Sequence, residues 1–362
     1  MNTYNKIMKK ICIEKTNIGE GFPCFIIAEL SANHNGSLST AIETIRAVKR
    51  AGADCIKFQT FTADTITLDS KKDDFKISQG TLWDGQYLHD LYKEAYTPWE
   101  WHQELFKVAK DEGLVCFSSP FDKTAVDFLE TLNVPAYKIA SFEITDIPLI
   151  EYVASKGKPI ILSTGIAEEA DIELALDACQ RMGNNDIALL KCTSSYPAPI
   201  AEANMCMVKD LAVRYGVVSG LSDHTMGATA PIVATVFGAK IIEKHFILDR
   251  AIGGPDASFS MNEEEFKAMV VAVREAESSI GVVDYTLTEK QAKGKDFSRS
   301  LYVVEDMKAG DVITEKNVRS IRPGFGLHPK FYKEILGQIV ERDIDSGVAF
   351  NLGFLANKKT QN

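Results

Sequence analysis

Eight short apolar runs recur between residues 25 and 247, and a polar stretch with helical spacing follows each of them. Near-continuous apolar character is typical of parallel strands that are covered on both faces. Strand and helix alternating eight times predict an α/β fold, a (β/α)8 TIM barrel. A doubly wound sheet is the competing topology, but no Gly-x-Gly-x-x-Gly pattern follows the first run. The predicted strands are 25–31, 55–60, 114–121, 136–141, 159–165, 187–195, 218–224 and 241–247.

The connection after the second run is much longer than the others. Residues 61–113 contain an insertion and then a helix, for which we predict Thr97 as the N-cap and Gly113 as the end. Long loops in compact domains are usually functional, and this one would leave the barrel face where active sites lie. Four aromatic side chains of the insertion either line a pocket there or only pack the insertion down: Trp83, Tyr87, Tyr92 and Tyr96.

The pattern of the chain changes after Gly281. A polar stretch follows, and short strand-like runs with glycine-containing turns come after it. We predict a barrel domain over residues 1–283, a linker over 284–297 and a small domain over 298–362. A domain of roughly 65 residues has a small core, so we expect it to lean on another surface.

The composition of the chain argues against some classes of binding partner. The net charge is −10, which argues against a nucleic-acid partner and means that an anionic substrate needs a locally basic pocket. No apolar run approaches the ~20 residues of a membrane span, and the N-terminus lacks the apolar core of a signal peptide. The seven cysteines are scattered, odd in number and without a Cys-x-x-Cys pair, which is typical of reduced thiols. These features predict a cytoplasmic protein without a membrane partner.

Polar side chains cluster toward the carboxyl ends of the eight predicted strands, the catalytic rim of a barrel. Lysines accompanied by hydroxyls in an acidic protein indicate an anion site, and phosphate or carboxylate fits such donors best. His224 and His245 end neighbouring strands and are the candidate metal ligands, with water and substrate completing the shell. The rim residues are Glu29, Lys57, Gln59, Ser118, Ser119, Lys138, Ser141, Glu143, Ser163, Thr164, Lys191, Thr193, Ser194, Ser195, Tyr196, Ser222, Asp223, His224, Glu243, Lys244 and His245.

Two charged residues in the eighth run need an explanation, because charge inside an apolar strand is costly unless it is paired or ligated. Glu243 shares a strand face with His245, whereas Lys244 points to the other face. Glu243 either supports a metal site or forms an ion pair, and the simplest role for Lys244 is a structural ion pair.

Taken together, the rim motifs resemble the sialic acid synthase family. The resemblance is carried in order by "IIAELSANHNGS", "IKFQT", "FSSPFD", "YKIASFE", "ILSTG", "CTSSYP", "LSDHT" and "EKHF". The later "RSLYVVEDMKAGDVIT" and "IRPGFG" are similar to the antifreeze-like (SAF) domain of that family. The resemblance implies an enzyme that condenses phosphoenolpyruvate with an N-acetylated aminosugar, releases phosphate and forms a nine-carbon ulosonic acid.

The resemblance also implies roles for individual residues. His224 and His245 match the family's ligands for a divalent metal, Mn²⁺ or Mg²⁺, with Co²⁺ as a further candidate. Ser194 stands where sialic acid synthases usually carry asparagine. Arg322 matches an arginine of the antifreeze-like domain that enters the partner subunit's barrel in a swapped homodimer. The carboxylates that match catalytic or sugar-binding groups are Glu29, Glu143 and Asp256. The residues that match substrate contacts are Lys57, Ser119, Lys138, Ser141, Ser163, Ser194, Tyr196 and Ser222.

Within the family, "GPDASFS" and "LWDGQYLHDLYKEAYTPWEW" look like the pseudaminic acid synthase subfamily. Sialic acid synthases usually read Gly-Pro-Asp-His where this chain has Ala257. The substrate implied is 2,4-diacetamido-2,4,6-trideoxy-L-altrose. The alternatives are an N-acetylneuraminic or legionaminic acid synthase, a class I aldolase with Lys191 or Lys138 as Schiff base, and a non-catalytic sugar-binding protein.

Overall fold

The computed structural model describes residues 9–356, which form two compact units that divide between Gly281 and Val282. The ends of the predicted domains, residues 1–8 and 357–362, lie outside the described residues. The segment predicted as a linker, 284–297, contains a short helix and a 3₁₀ turn, Gly294–Phe297. Across the described range, no helix is both long and apolar enough to cross a bilayer.

The first unit is built on a closed barrel of eight parallel strands. Its last strand pairs with its first, Ile241 beside Phe25, so the barrel closes and the doubly wound alternative is excluded. The predicted fold class is therefore confirmed. An antiparallel hairpin of β1 (Lys10–Ile13) and β2 (Thr16–Gly19) precedes the barrel. The barrel strands are β3 (Phe25–Glu29), β4 (Cys55–Thr60), β5 (Val115–Pro120), β6 (Tyr137–Ile139), β7 (Ile160–Ser163), β8 (Ile187–Cys192), β9 (Val218–Asp223) and β10 (Ile241–His245).

Helices follow the strands and cover the outside of the barrel. The first of them shows why the chain turns where it does, because the Ser37 hydroxyl accepts from Thr40 N at its start and Gly52 adopts φ +86° just beyond its end. The helices of the first unit are α1 (Leu38–Arg50), α2 (Ala63–Ile66), α3 (Leu88–Ala95), α4 (Trp99–Asp111), α5 (Lys123–Thr131), α6 (Ile147–Ala154), α7 (Glu169–Arg181), α8 (Cys206–Tyr215), α9 (Thr229–Val236) and α10 (Glu263–Ile280).

The predicted start of α4 is wrong. Pro98 is the N-cap of this helix and no side chain caps it. The hydroxyl of Thr97 is buried and lies 3.2 Å from Nε2 of His34 instead. The tertiary contact with the loop after β3 has replaced the local cap.

The N-terminal hairpin was not predicted from the sequence. Ile11, Ile13 and Ile18 are buried and form one apolar cluster with the interior residues Phe25 and Ile241 at the first positions of β3 and β10. Parallel strands begin at one end of a barrel, so the hairpin covers its amino-terminal end. The polar rim at the opposite end stays available for a site.

The second unit has its own small core, as a domain of this size requires. Leu301, Met307, Ile335 and Phe350 belong to one buried cluster within it. Its elements are α11 (Glu289–Lys293), β11 (Ser300–Val303), β12 (Val318–Ile321) and α12 (Tyr332–Ile335), and the two strands are antiparallel.

Candidate active site

A buried cluster of charges lies inside the barrel around Glu243, on β10. Oε1 of Glu243 is 3.2 Å from Nζ of Lys57 and 3.6 Å from Nζ of Lys138, and it accepts a hydrogen bond from Ser222 Oγ at 3.1 Å. Lys57 also pairs with Glu29 at 2.9 Å. All five side chains are buried, so the ion-pair interpretation of Glu243 is confirmed. The carboxylate pairs with lysines from β4 and β6.

The two lysines of this cluster differ electrostatically. Burial would lower the pKa of Lys57, but Glu243 and Glu29 offset this effect and hold the pKa above its ordinary value. Burial lowers the pKa of Lys138, and Glu243 offsets this only in part while the charge of Lys57 adds to it. Lys138 is therefore the lysine that loses its proton more readily.

Lys244 lies on the other face of β10, as the alternation predicts. Its Nζ is 2.6 Å from Oδ2 of Asp223 and 2.5 Å from the carbonyl oxygen of Thr225, and both charged side chains are buried. This confirms a structural ion pair, which ties β10 to β9 outside the cluster of Glu243.

The two candidate metal ligands face each other at the carboxyl ends of β9 and β10, with ring centroids 5.3 Å apart. Nδ1 of His224 lies 3.1 Å from the carbonyl oxygen of Thr193, so an Nδ1–H donated there leaves the lone pair of Nε2 free. Nδ1 of His245 is buried and has no hydrogen-bond partner in the described structure. Each ring therefore has a nitrogen that could bind an ion.

This donor set fits a divalent ion held by few protein ligands. Within residues 9–356, no group of three or more His, Cys, Asp or Glu side chains is arranged to hold a metal. Two imidazoles would need water or substrate oxygen to complete the shell, which leaves positions open for chemistry. Burial would lower the pKa of His224, but the nearby Cys192 thiol and Thr193 carbonyl raise it to about 8. An ion that binds His224 at neutral pH would therefore displace a proton.

The two candidate catalytic carboxylates have opposite environments. Glu29 pairs with Lys57, accepts from Gln59 Nε2 at 2.8 Å and lies 3.4 Å from Nε2 of His245. Burial would raise the pKa of Glu29, but Lys57 and His245 hold it well below the usual range. Burial raises the pKa of Glu143 to about 7, and its buried Oε2 has no partner among the described residues. Glu143 therefore changes its protonation state near neutral pH, whereas Glu29 stays ionised.

The third carboxylate, Asp256, lies in the loop after β10. Its Oδ2 accepts a hydrogen bond from Ser31 Oγ and is 3.7 Å from Nδ1 of His245. The structure therefore brings Asp256 beside the candidate metal ligand His245, which lies eleven positions earlier in the chain.

Serine hydroxyls converge at the end of β7. Ser141 Oγ accepts from Gly165 N at 3.2 Å, and Ser163 Oγ is buried without a partner in the described structure. A Cβ at position 165 would lie 2.0 Å from Ser194 Oγ and 2.7 Å from Ser141 Oγ. The glycine is needed for these hydroxyls to approach each other, a signal that sequence reasoning missed. Ser119 belongs to the neighbouring lysine cluster, with Oγ 3.4 Å from Nζ of Lys57.

An aromatic wall joins the histidines to the insertion. The ring of Tyr196 lies 4.3 Å from that of His224 and 5.5 Å from that of Trp83, centroid to centroid. Of the other aromatics predicted there, Tyr92 packs on Phe61. The ring of Tyr87 lies below the ammonium of Lys71. Tyr96 ends α3. The insertion thus contributes Trp83 to the wall.

Two further candidates are Arg322 and Lys191. Arg322 belongs to the second unit, where it is exposed and directly follows β12. Nζ of Lys191 lies 2.6 Å from the carbonyl oxygen of Cys192, and burial lowers the pKa of this lysine.

With this geometry established, comparison with known proteins identifies the family. The NeuB family matches residues 44–285, and the SAF domain matches residues 298–349. The chain belongs to the NeuB family. The predicted resemblance, including the SAF domain, is confirmed.

Three relatives show where the chain stands within this family. The pseudaminic acid synthase of Campylobacter jejuni (serotype O:2) is 49% identical over 91% of this chain and 96% of the relative. The N,N'-diacetyllegionaminic acid synthase of Legionella pneumophila is 34% identical over 91% of this chain and 94% of the relative. The crystal structure of the N-acetylneuraminic acid synthetase of Leptospira borgpetersenii, in complex with citrate, superposes with a TM-score of 0.71. It is 28% identical and covers 80% of this chain and 96% of that structure.

Proposed function

We propose that this NeuB-family chain is a pseudaminic acid synthase, which joins phosphoenolpyruvate to 2,4-diacetamido-2,4,6-trideoxy-L-altrose. The observation that carries the proposal is the meeting of three features at one end of the barrel. These are a lysine pair around Glu243, a row of serine hydroxyls and two facing imidazoles. The first two suit a phosphate and a carboxylate, and the third suits a carbonyl.

The choice of sugar is supported by similarity and by one residue. Identity falls from 49% with a pseudaminic acid synthase to 34% with a diacetyllegionaminic acid synthase and 28% with an N-acetylneuraminic acid synthetase. Ala257, where sialic acid synthases usually carry histidine, is buried next to Asp256. A small apolar side chain there suits a sugar that carries a methyl and an acetamido group in place of hydroxyls.

The reaction balances without an oxidant or reductant. Carbon 3 of phosphoenolpyruvate bonds to the aldehyde carbon of the open-chain sugar, whose oxygen takes up a proton. Water adds at carbon 2 and loses its protons as the new ketone forms. Phosphate leaves with the bridging oxygen, so the C–O bond breaks. Lys57, Lys138 and the serine hydroxyls would hold the carboxylate and phosphate in a preorganised site.

A divalent ion, Mn²⁺, Mg²⁺ or Co²⁺, would be held by His224 and His245 and would polarise the sugar aldehyde. Glu143 is the better proton-transfer group, because its pKa of about 7 lets it give and take a proton near neutrality. Glu29 would remain an anion that orients Lys57 and His245. Asp256 would contact the sugar from the loop above the histidines.

We further propose a homodimer in which Arg322 enters the partner subunit's barrel. Its exposure and its place in a unit with a small core support this arrangement. We also infer a cytoplasmic location. This inference is supported by the seven free cysteines, which suit a reducing compartment.

A class I aldolase remains the second candidate, because burial lowers the pKa of both Lys138 and Lys191. Phosphoenolpyruvate labelled with ¹⁸O at its bridging oxygen separates the two reactions. We expect the label to appear in released phosphate, and we expect chelator to stop turnover. Label retained in the organic product, or covalent trapping of pyruvate by borohydride with chelator-resistant activity, would overturn the synthase proposal.

A further inference from the structure

Trp83 is placed by the insertion directly against the loop that carries Asp256. Its Nε1–H donates to the carbonyl oxygen of Pro255 at 3.2 Å, and Pro255 immediately precedes Asp256. Its ring lies 5.5 Å from that of Tyr196, centroid to centroid. Tyr196 in turn packs on His224. Trp83 therefore touches two residues that border the candidate sugar end of the site.

The backbone around Trp83 is fixed by a local turn. The carboxylate of Asp84 accepts from the backbone N–H groups of Gly80 and Thr81, each at 2.9 Å, and from the Thr81 hydroxyl at 3.0 Å. These three hydrogen bonds join residues that precede Trp83 to the residue that follows it. The backbone at Trp83 is therefore held in place by more than the contact with Pro255. The turn fixes the backbone at Trp83 and the hydrogen bond to Pro255 orients the ring, so the side chain is preorganised to contact a ligand.

The chemistry of the indole defines what it can recognise. Its only hydrogen-bond donor is already satisfied by Pro255, so the exposed part of the half-buried ring offers an apolar surface. A methyl or acetamido methyl group packed there loses water at no cost in hydrogen bonds. A sugar hydroxyl in the same place would lose its water without gaining a partner.

We propose that Trp83 is a specificity-determining residue, whose indole packs on the carbon-6 methyl and an acetamido methyl of the sugar. This inference rests on the proposed function and deepens it. On this proposal, the insertion places the apolar ring of Trp83 at the carboxyl-terminal rim of the barrel. Ala257, two positions after Pro255 on the same loop, adds a small apolar side chain where sialic acid synthases usually carry histidine.

The test compares kcat/KM for two sugars, the diacetamido-trideoxy altrose and N-acetylmannosamine, which carries hydroxyls at carbons 4 and 6. We expect Trp83→Ala to lower kcat/KM for the trideoxy sugar about 10- to 100-fold, with much less effect on N-acetylmannosamine. The KM for phosphoenolpyruvate should stay within about two-fold. Trp83→Phe, which keeps a ring but lacks the donor, should retain most of the discrimination.

Tyr87→Ala is the matched control, because Tyr87 belongs to the same insertion but packs under Lys71. Tyr87→Ala should leave the ratio of the kcat/KM values for the two sugars unchanged. Equal losses for both sugars in Trp83→Ala, no loss at all, or the same change in Tyr87→Ala would overturn the proposal. If the unaltered enzyme instead prefers N-acetylmannosamine, the proposed function is contradicted. The change in the kcat/KM ratio of the two sugars on Trp83→Ala substitution would still test the role of Trp83.

Discussion

At the scale of single residues, identical side chains acquire different chemistry from their surroundings. Glu29 is a buried carboxylic acid and Glu143 a half-buried one with a buried Oε2, and both lie near the mouth of the barrel. A lysine 2.9 Å from Glu29 keeps it ionised, whereas burial without a hydrogen-bond partner for Oε2 raises the pKa of Glu143 to about 7. Their environments, rather than their residue type, assign the roles.

Glu143→Gln tests the proton-transfer role. We expect kcat to fall about 10²- to 10⁴-fold, and the limb of the kcat–pH profile near pH 7 to disappear, since the amide does not titrate. Glu151→Gln, a substitution on α6 of a partly exposed carboxylate that pairs with Arg181, is the control and should keep the normal profile. An unchanged limb in Glu143→Gln would show that another group titrates there.

Glu243→Ala tests the counter-charge at the centre of the lysine cluster. Removal leaves the ammonium groups of Lys57 and Lys138 buried with less compensation, so we expect the free energy of unfolding to fall by about 3 kcal/mol. Urea denaturation measures this. Asp111→Ala, which breaks an exposed pair with Lys107, should change stability by less than about 1 kcal/mol. Equal small effects in both variants would contradict the account of the cluster.

At the scale of elements, sequence periodicity was sufficient for the barrel strands and insufficient for features set by tertiary contacts. All eight predicted strands form, because long apolar runs have few other ways to be buried. The hairpin of β1 and β2 was missed, since its strands have four residues each and only Ile11, Ile13 and Ile18 alternate as buried positions. The N-cap at Thr97 failed because His34 lies within reach of its hydroxyl.

The candidate site, like the fold, was predictable from the sequence only where it does not depend on tertiary contacts. The sequence placed lysines, serines and histidines on one rim, because parallel strands bring their carboxyl ends together. It could not assign the partner of Glu243, which depends on β4 and β6 facing β10 across the barrel. It named Trp83 only as one of four equivalent aromatics of the insertion, and it missed Gly165. The role of each arises from contacts with residues distant in the chain, Pro255 for Trp83 and Ser141 and Ser194 for Gly165.

Helix α4 contacts the barrel through a buried histidine. His102 on this helix is buried, with Nε2 2.9 Å from Thr60 Oγ1 and Nδ1 3.2 Å from the carbonyl oxygen of Pro98. Burial lowers the pKa values of His102 and His34 to about 4. An unfolded histidine has a pKa of about 6.5, so between these values the unfolded chain binds more protons than the folded one.

Stability should therefore fall as the pH is lowered from about 6.5 toward 4, by about 3 kcal/mol for each of the two histidines. Urea unfolding at several pH values measures this slope. His102→Asn should reduce the slope by about half, because one of the two titrating groups is removed. His328→Asn, at an exposed position in the second unit, is the control. An unchanged slope in His102→Asn would contradict the assignment.

At the scale of the whole molecule, the question is whether one chain completes its own site. The proposed dimer places Arg322 of each subunit in the other subunit's barrel. Mixing inactive Arg322→Ala and inactive His245→Ala subunits, after dissociation and reassociation, should restore about a quarter of the unaltered activity. Half of the random dimers would be mixed, and one site in each would be intact. Persistent inactivity of the mixture, with mixed dimers shown to form, would contradict a shared site.

The measurement that tests the central claim most directly is a comparison of sugars with the unaltered enzyme, phosphoenolpyruvate and a divalent metal ion. Candidate precursors of pseudaminic, legionaminic and N-acetylneuraminic acids are each assayed for phosphate release and for the nine-carbon product. We expect the highest kcat/KM for 2,4-diacetamido-2,4,6-trideoxy-L-altrose, with one phosphate released for each pseudaminic acid formed. Preference for either other precursor, or no phosphate release with any of them, would contradict this expectation.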